Sequence, residues 1–393
     1  MIVTRRPRPR GNGGTAVPPP EPVLINEEND AARMKKRTIL KGLLPLLMLI
    51  AAFPAAPAAA EEAPYLWDLT GDGATTAADA AAMLRGIADA TLDEMTRPDL
   101  DFTMNGEIDA TDARAALLYA CGGIEDWVAF GERVSSGLCD ERLFDRFSYT
   151  GTQSDGLGNY RSENVSVSVV SGRYERGDYY LADIYVQDIA SIRTALSGGK
   201  FRGGAASVKS MFNEVEGAII AINGDFYSIH LRGPIVRNGV VYEDGITRDW
   251  DIAVLYTNGE MKTYAYGALT QELLGEATPY QSWIFGPALL DEEGHAKTTF
   301  RSYVQPENPR SVIAYYEPGH YAFLAVDGRS SESQGLTMQS LSALCEELGF
   351  TSAYNLDGGR SSVLLSGSGA VNNPYRDGRA ISDIVAVREL PQE

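Results

Sequence analysis

Polar and apolar residues alternate along residues 165–170, the two-residue period of a strand with one buried face. Residues 179–186 carry a second strand pattern. Residues 236–242 surround Asn238-Gly239, a dipeptide that favours a tight hairpin. Apolar runs at 217–223, 321–326 and 352–356 predict buried strands. The period lengthens at 337–348, where Leu341, Leu344, Cys345 and Leu348 share one helical face and Gly349 ends it. Strands and helices mix without regular βαβ alternation. The fold class expected for residues 127–393 is therefore α+β, a large mixed or antiparallel sheet domain with helices.

The pattern upstream is different. Ala80, Met83, Leu84 and Ile87 form one short helical face, and Ala113, Ala116, Leu117 and Ala120 repeat it. Each face follows a loop rich in side-chain oxygens, and the loops begin 33 residues apart. Asp68, Thr70, Asp72, Thr76 and Asp79 occupy positions 1, 3, 5, 9 and 12 of the first loop. Asp101, Thr103, Asn105, Asp109 and Asp112 do so in the second. Position 6 is Gly in both, and position 7, Ala74 or Glu107, would donate its backbone carbonyl. A hard cation such as Ca²⁺ takes roughly six to eight oxygens from such an EF-hand-like loop. Two short helices bury little area, so metal would supply the missing folding free energy. Residues 61–126 are expected to form a small all-α, duplicated calcium loop–helix module. The duplication, with Asp at position 12, resembles a type I dockerin, although Thr at position 3 departs from the commoner Asn. That resemblance implies Ca²⁺ in the module and a partner, a cohesin-type module on a scaffold or cell-surface protein.

Residues 1–33 form a leader rich in Arg, Pro and Gly, expected to be missing from the mature protein. Met34-Lys35-Lys36-Arg37, an apolar run at 43–53 and Ala58-Ala59-Ala60 read as the three parts of a signal peptide at 34–60. The run is shorter than the ~20 residues that span a bilayer. A secreted or cell-surface-associated protein is expected. Acidic residues outnumber Lys and Arg by 53 to 34, giving a net charge of −19, which disfavours nucleic acid as a partner. Three cysteines are too few for a disulfide scaffold, and only three histidines argue against an all-His zinc site. Export would permit a bridge between Cys121 and Cys139. Cys345, on its amphipathic helix, is expected to be buried and inert.

In the large domain, three buried strands end alike. One runs into Asn223-Gly224-Asp225-Phe226-Tyr227, one into Asp327-Gly328-Arg329, and one into Asn355-Leu356-Asp357-Gly358-Gly359-Arg360-Ser361-Ser362. Asx-Gly is ordinary turn chemistry. Three such ends with Arg310, Arg329 and Arg360 at hand point instead to a site where fixed carboxylates sit beside backbone N–H groups.

These segments, with Phe285-Gly286-Pro287, Asn308-Pro309-Arg310 and Gly335-Leu336-Thr337, resemble in order and spacing the phosphodiester glycosidase family. The family often has a third Gly where this chain has Arg360, and can have Gly in place of Asp225. The resemblance implies a secreted hydrolase that cleaves a sugar phosphodiester, such as an N-acetylglucosamine-1-phosphodiester, on a glycan or exopolysaccharide. Asp357 is expected to activate water or support an oxocarbenium ion, with Asp225 as its partner, Asn223 orienting water or a sugar hydroxyl, and Arg310 holding phosphate. Gly358, Gly359, Arg360, Asp327, Arg329, Tyr227 and His230 are expected to line the substrate site. C–O and P–O cleavage both remain open, as does a metal in the catalytic domain. The alternative is a non-catalytic cell-envelope protein that binds glycan phosphate; it needs Arg and amides but not paired carboxylates.

Overall fold

A computed structural model describes residues 67–92, 97–228, 233–246 and 249–391. The basic leader, the signal segment with its 60–61 cut, and His230 lie outside the described residues. The described residues fall within one compact unit.

Two antiparallel sheets face each other at its centre. The larger runs in the order Gln153–Ser154, Tyr160–Arg161, Val165–Tyr174, Gly177–Val186, His320–Val326, Arg310–Glu317, Ser352–Asn355. The smaller runs Gly369–Ala370, Leu364–Ser366, Ala218–Asn223, Asp383–Arg388, Ile192–Leu196. Val167, Ile184, Ile313 and Phe323 of the first meet Ile220, Ile222, Leu364 and Val385 of the second, all buried. Burying each such side chain contributes about 1.5–3 kcal/mol.

The other face of the larger sheet, with Val312, Ala314 and Leu324, packs on Leu341, Leu344 and Cys345 of the helix Met338–Glu347. Ala221, Ile384 and Ala386 on the outer face of the smaller sheet pack on Val208 and Met211 of the helix Val208–Phe212. The layers are thus helix, sheet, sheet, helix. A third sheet, Met261–Tyr264, Ile252–Tyr256 and Pro279–Trp283, and the hairpin Ile235–Arg237/Val240–Glu243 complete the domain. The hairpin turns at Asn238-Gly239, both at positive φ. The sequence left open one mixed or antiparallel sheet. The structure has several, and among the described residues every strand pair is antiparallel.

The two oxygen-rich loops are near copies. Asp68 accepts from the N–H groups of Asp72 and Gly73, and Asp101 from those of Asn105 and Gly106. Asp79 accepts from Thr70 and Thr76, and Asp112 from Thr103 and Asp109. Thr76 and Asp109 cap the helices Ala77–Ala88 and Ala110–Ala120. Trp67 packs against Phe102, Tyr119 and Trp127, tying the pair to the following helix, Trp127–Ser136. Arg114 pairs with Asp145, and Arg142 reaches Glu317 in the large sheet. Cys121, Cys139 and Cys345 are free. Burial pushes the Cys139 thiol up to about 12.

Candidate active site

Residues distant in sequence converge where the two central sheets meet. Asn223 ends its strand fully buried. Its Nδ2 donates to Asp357 O at 2.7 Å, and its Oδ1 accepts from Ser311 Oγ at 2.7 Å. Asn355 donates from Nδ2 to Gly286 O at 2.8 Å and from its backbone to Pro287 O at 3.1 Å. Leu356 N donates to Ser311 O, and Gly359 N to Pro309 O. Four of the sequence segments are thereby sewn together. Asn223 serves this stitching, with its amide and carbonyl both engaged within the protein.

Asp225 and Asp357 begin from similar turns and end differently. Asp225 is wholly buried. Its Oδ1 accepts from Arg237 Nη2 at 2.8 Å and from Tyr227 N at 3.1 Å, and its Oδ2 from Ile284 N at 2.8 Å. Arg237 also donates from Nε to Asp383 Oδ2 at 2.9 Å. One buried guanidinium thus bridges two buried carboxylates. Burial pushes the Asp383 carboxyl up to about 7, opposed by the Arg237 charge. Gly224 lies against this pair: a Cβ there would stand 2.1 Å from Asp383 Oδ1.

Asp357 sits at the rim. Ser361 Oγ and Arg379 Nη2 both donate to its Oδ2, each at 2.5 Å. Arg379 also donates from Nε to Ser361 Oγ, and its guanidinium lies 4.9 Å from the centre of the half-buried Phe226 ring. Its side chain is 39% exposed, so solvent and ligand reach it. Burial raises the Asp357 carboxyl above the usual range, against the pull of Ser361 and Arg379. Among the described residues both donors fall on Oδ2, which leaves Oδ1 as the open edge of the carboxylate.

Arg310 is a correction to the sequence reading. It shares a strand face with Val312 and Ala314, opposite Ser311. The residue is 1% exposed, and its guanidinium donates to Leu336 O and Pro306 O. Burial, and then the Arg329 charge, lower it to about 10. It anchors the 305–308 turn and does not face Asp357. Tyr227 is likewise sealed: its hydroxyl accepts from Arg202 N, and its ring packs on Phe201. The Gly359 N–H is held by Pro309 O, so it is not an anion cradle.

Other expected residues do gather at the rim. Gly359 has φ +64, and a Cβ there would meet Arg329 Nη2 at 2.9 Å, so Gly lets Arg329 approach. Gly358 similarly closes on Pro309 O, 2.8 Å from its would-be Cβ. Asp327 accepts from the Asn372 and Asn373 amides and holds the 372–378 turn. Arg360 donates to Gly378 O in that turn. Phe226, Arg329, Arg376 and Asp377 all have φ between 51° and 62°, backbone strain concentrated at one place.

Arg379, Arg237 and Asp383 were not singled out from sequence, and Ser361 stood in the third motif without a role. Arg237 left one signal, a charge inside an apolar hairpin, which requires a buried partner. Arg379, in Arg376-Asp377-Gly378-Arg379, left none.

Carboxylate, hydroxyl and amide groups converge in the loops at 68–79 and 101–112. The donor set is all oxygen, and ligand atoms of Asp68, Asp72 and Asp79 lie within 4.8 Å of one another, which fits a hard cation.

Comparison with known proteins places the rim in one region. The family model "Phosphodiester glycosidase" matches residues 216–388. The chain is 27% identical over 179 residues to the SPbeta prophage-derived uncharacterized protein YomE of Bacillus subtilis, covering 43% of this chain and 28% of that protein. Among solved structures, the catalytic domain of zebrafish N-acetylglucosamine-1-phosphodiester alpha-N-acetylglucosaminidase, auto-inhibited by its pro-peptide, aligns with TM-score 0.44 and 20% identity. That alignment covers 58% of this chain and 83% of that one. A hypothetical protein from Synechocystis aligns with TM-score 0.46 and 14% identity over 58% of this chain and 63% of that one. Asp225, Arg237, Asp357, Ser361, Arg379 and Asp383 all lie within the part of the chain, residues 216–388, that is similar to the phosphodiester glycosidase family.

Proposed function

We propose that this protein is a hydrolase that cleaves a sugar from a phosphodiester, with Asp357 as the reacting carboxylate and Arg379 as the phosphate grip. The observation that carries this reading is the Asp357–Ser361–Arg379 cluster at the rim of the family-matched region. A phosphodiester bears one negative charge, and an exposed guanidinium can hold two of its oxygens. As phosphate takes Arg379, Asp357 loses its ion-pair partner. Its burial-raised basicity then suits it to accept a proton from water, or to support positive charge at the sugar carbon. Ser361 keeps its Oδ2 in place. Water supplies a hydroxyl to one fragment and a proton to the other, giving a free sugar and a phosphomonoester if C–O breaks. If P–O breaks instead, the products are the same and Arg379 steadies the charge on phosphorus. Asp225 acts from behind, as the anchor of the 223–227 turn.

The substrate we infer is an N-acetylglucosamine-1-phosphodiester on a glycan or exopolysaccharide. The protein would be secreted and held in place by Ca²⁺-loaded loops that dock onto a cohesin-type module. The duplicated hydrogen-bond pattern of the loops supports Ca²⁺ binding. A chelator-sensitive pull-down with cohesins tests the docking.

Incubation with a methyl N-acetylglucosaminyl phosphodiester in H₂¹⁸O tests the activity. Free sugar is expected, and the position of the label identifies the bond broken. Binding without any release of sugar would leave a glycan-phosphate binding protein instead.

A further inference from the structure

The protein carries excess negative charge, yet four exposed arginines surround its candidate active site. Arg379 pairs with Asp357. Arg329, Arg360 and Arg376 have no carboxylate within 4.0 Å among the described residues. The Arg329 fork lies on the neutral Asn308 Oδ1, at 2.8 Å from Nη2. Arg360 donates to the carbonyls of Gly378 and Arg376. The Arg329 and Arg376 guanidiniums both lie over the Tyr375 ring, 5.3 and 5.1 Å from its centre. The carboxylates nearby do not neutralise them. Asp357 is taken by Arg379, Asp327 is capped by Asn372 and Asn373, and Asp377 forms no ion pair among the described residues.

Gathering like charges costs free energy, and Arg329 already depresses the neighbouring Arg310. The segments that present them are also strained, with Arg329, Arg376 and Asp377 at positive φ. Asp327, two residues before Arg329, holds the 372–378 turn that carries Arg376, so the arrangement is built and not a loose surface accident. A rigid array of unneutralised forks beside one phosphate grip suits a second phosphate on the same ligand.

We propose that Arg329 and Arg376, carried on Tyr375, form a second anion subsite. The substrate therefore bears a further phosphate next to the one that is cleaved. Two sources share that chemistry: a sugar diphosphate, with phosphates adjacent, and a repeating glycosyl-phosphate polymer, with phosphates one sugar apart. The proposal rests on the hydrolase reading for the place of the scissile bond, but the subsite can be tested without turnover.

Calorimetric titration of the full chain with inorganic phosphate and with pyrophosphate, at low and high salt, is the first arm. Pyrophosphate should bind roughly tenfold tighter at low salt. The double variant Arg329→Gln/Arg376→Gln should erase that preference, and Arg329→Lys/Arg376→Lys should retain part of it. Circular dichroism checks that each variant is folded. The second arm compares KM for methyl N-acetylglucosaminyl phosphodiester, UDP-N-acetylglucosamine and a synthetic glycosyl-phosphate dimer. The Gln variant should raise KM for one of the two-phosphate substrates about tenfold more than for the single diester. Whichever it is identifies the source. Equal affinity for phosphate and pyrophosphate, or a preference unchanged in the Gln variant, overturns the subsite. Failure of wild type to release sugar from all three substrates would overturn the hydrolase reading while the first arm still decides the subsite.

Discussion

The turns at 223–227 and 355–361 start from similar grammar, a buried strand running into Asn, Asp and Gly, and reach opposite chemical ends. Asp225 meets Arg237, Ile284 N and Tyr227 N, so both its oxygens are fixed inside the protein. Among the described residues the Asp357 carboxylate meets Ser361 and Arg379, both on one oxygen, and Arg379 is itself open to solvent. The difference comes from what the neighbouring elements supply. The hairpin Ile235–Arg237/Val240–Glu243 brings a guanidinium to the first turn, and the exposed 375–379 turn brings one to the second. A carboxylate at a strand end is thus structural or reactive according to whether its counter-ion can be displaced.

The largest effect should come from breaking the sealed turn. Arg237→Met leaves Asp225 and Asp383 buried without their cation, a loss of about 3–5 kcal/mol. Urea unfolding should show it as a large fall in midpoint, whereas Arg379→Met should leave the midpoint nearly unchanged. Comparable losses from both would erase the contrast between the turns.

Removing the displaceable cation should act on catalysis. Arg379→Ala is expected to lower kcat/KM by about tenfold or more, with partial recovery in Arg379→Lys, which keeps charge but not the fork. Steady-state kinetics on a sugar phosphodiester measures it.

The sealed turn also has a pH signature. Burial lifts Asp383 from its ordinary 3.8 to about 7, so between those values the folded protein holds a proton that the unfolded chain releases. This group's contribution to stability is full below about pH 4 and is lost as pH rises through about 7. Asp383→Asn should flatten that part of the profile, measured by urea midpoints from pH 5 to 8.

The smallest effect on the two turns should come from metal. Chelation should lower the stability of the loop–helix pair and leave sugar release nearly unchanged. Asp68→Ala should remove one equivalent of Ca²⁺ uptake in a calorimetric titration.

Much of the frame was legible in sequence. The runs at 217–223 and 321–326 are strands covered on both faces, by the opposite sheet and by a helix, and their unbroken hydrophobicity announced it. The hairpin at Asn238-Gly239 and the helix Met338–Glu347 followed from turn chemistry and period. The repeat of the oxygen-rich loops was visible because its donors are close in sequence. The site was less legible, because charge pairing across loops leaves no period. Arg310 looked available beside Asn308-Pro309, but strand alternation turns it into the opposite layer. Arg379 is 22 residues beyond Asp357, and only the fold brings its Nη2 to 2.5 Å.

The central claim is that Asp357 reacts and Asp225 supports. Steady-state release of sugar from a methyl N-acetylglucosaminyl phosphodiester by Asp357→Asn, alongside urea unfolding of the same preparation, tests it most directly. The account predicts a folded protein whose kcat has fallen by about 10² or more with KM little changed. Turnover near that of wild type would contradict it and remove Asp357 from the chemistry.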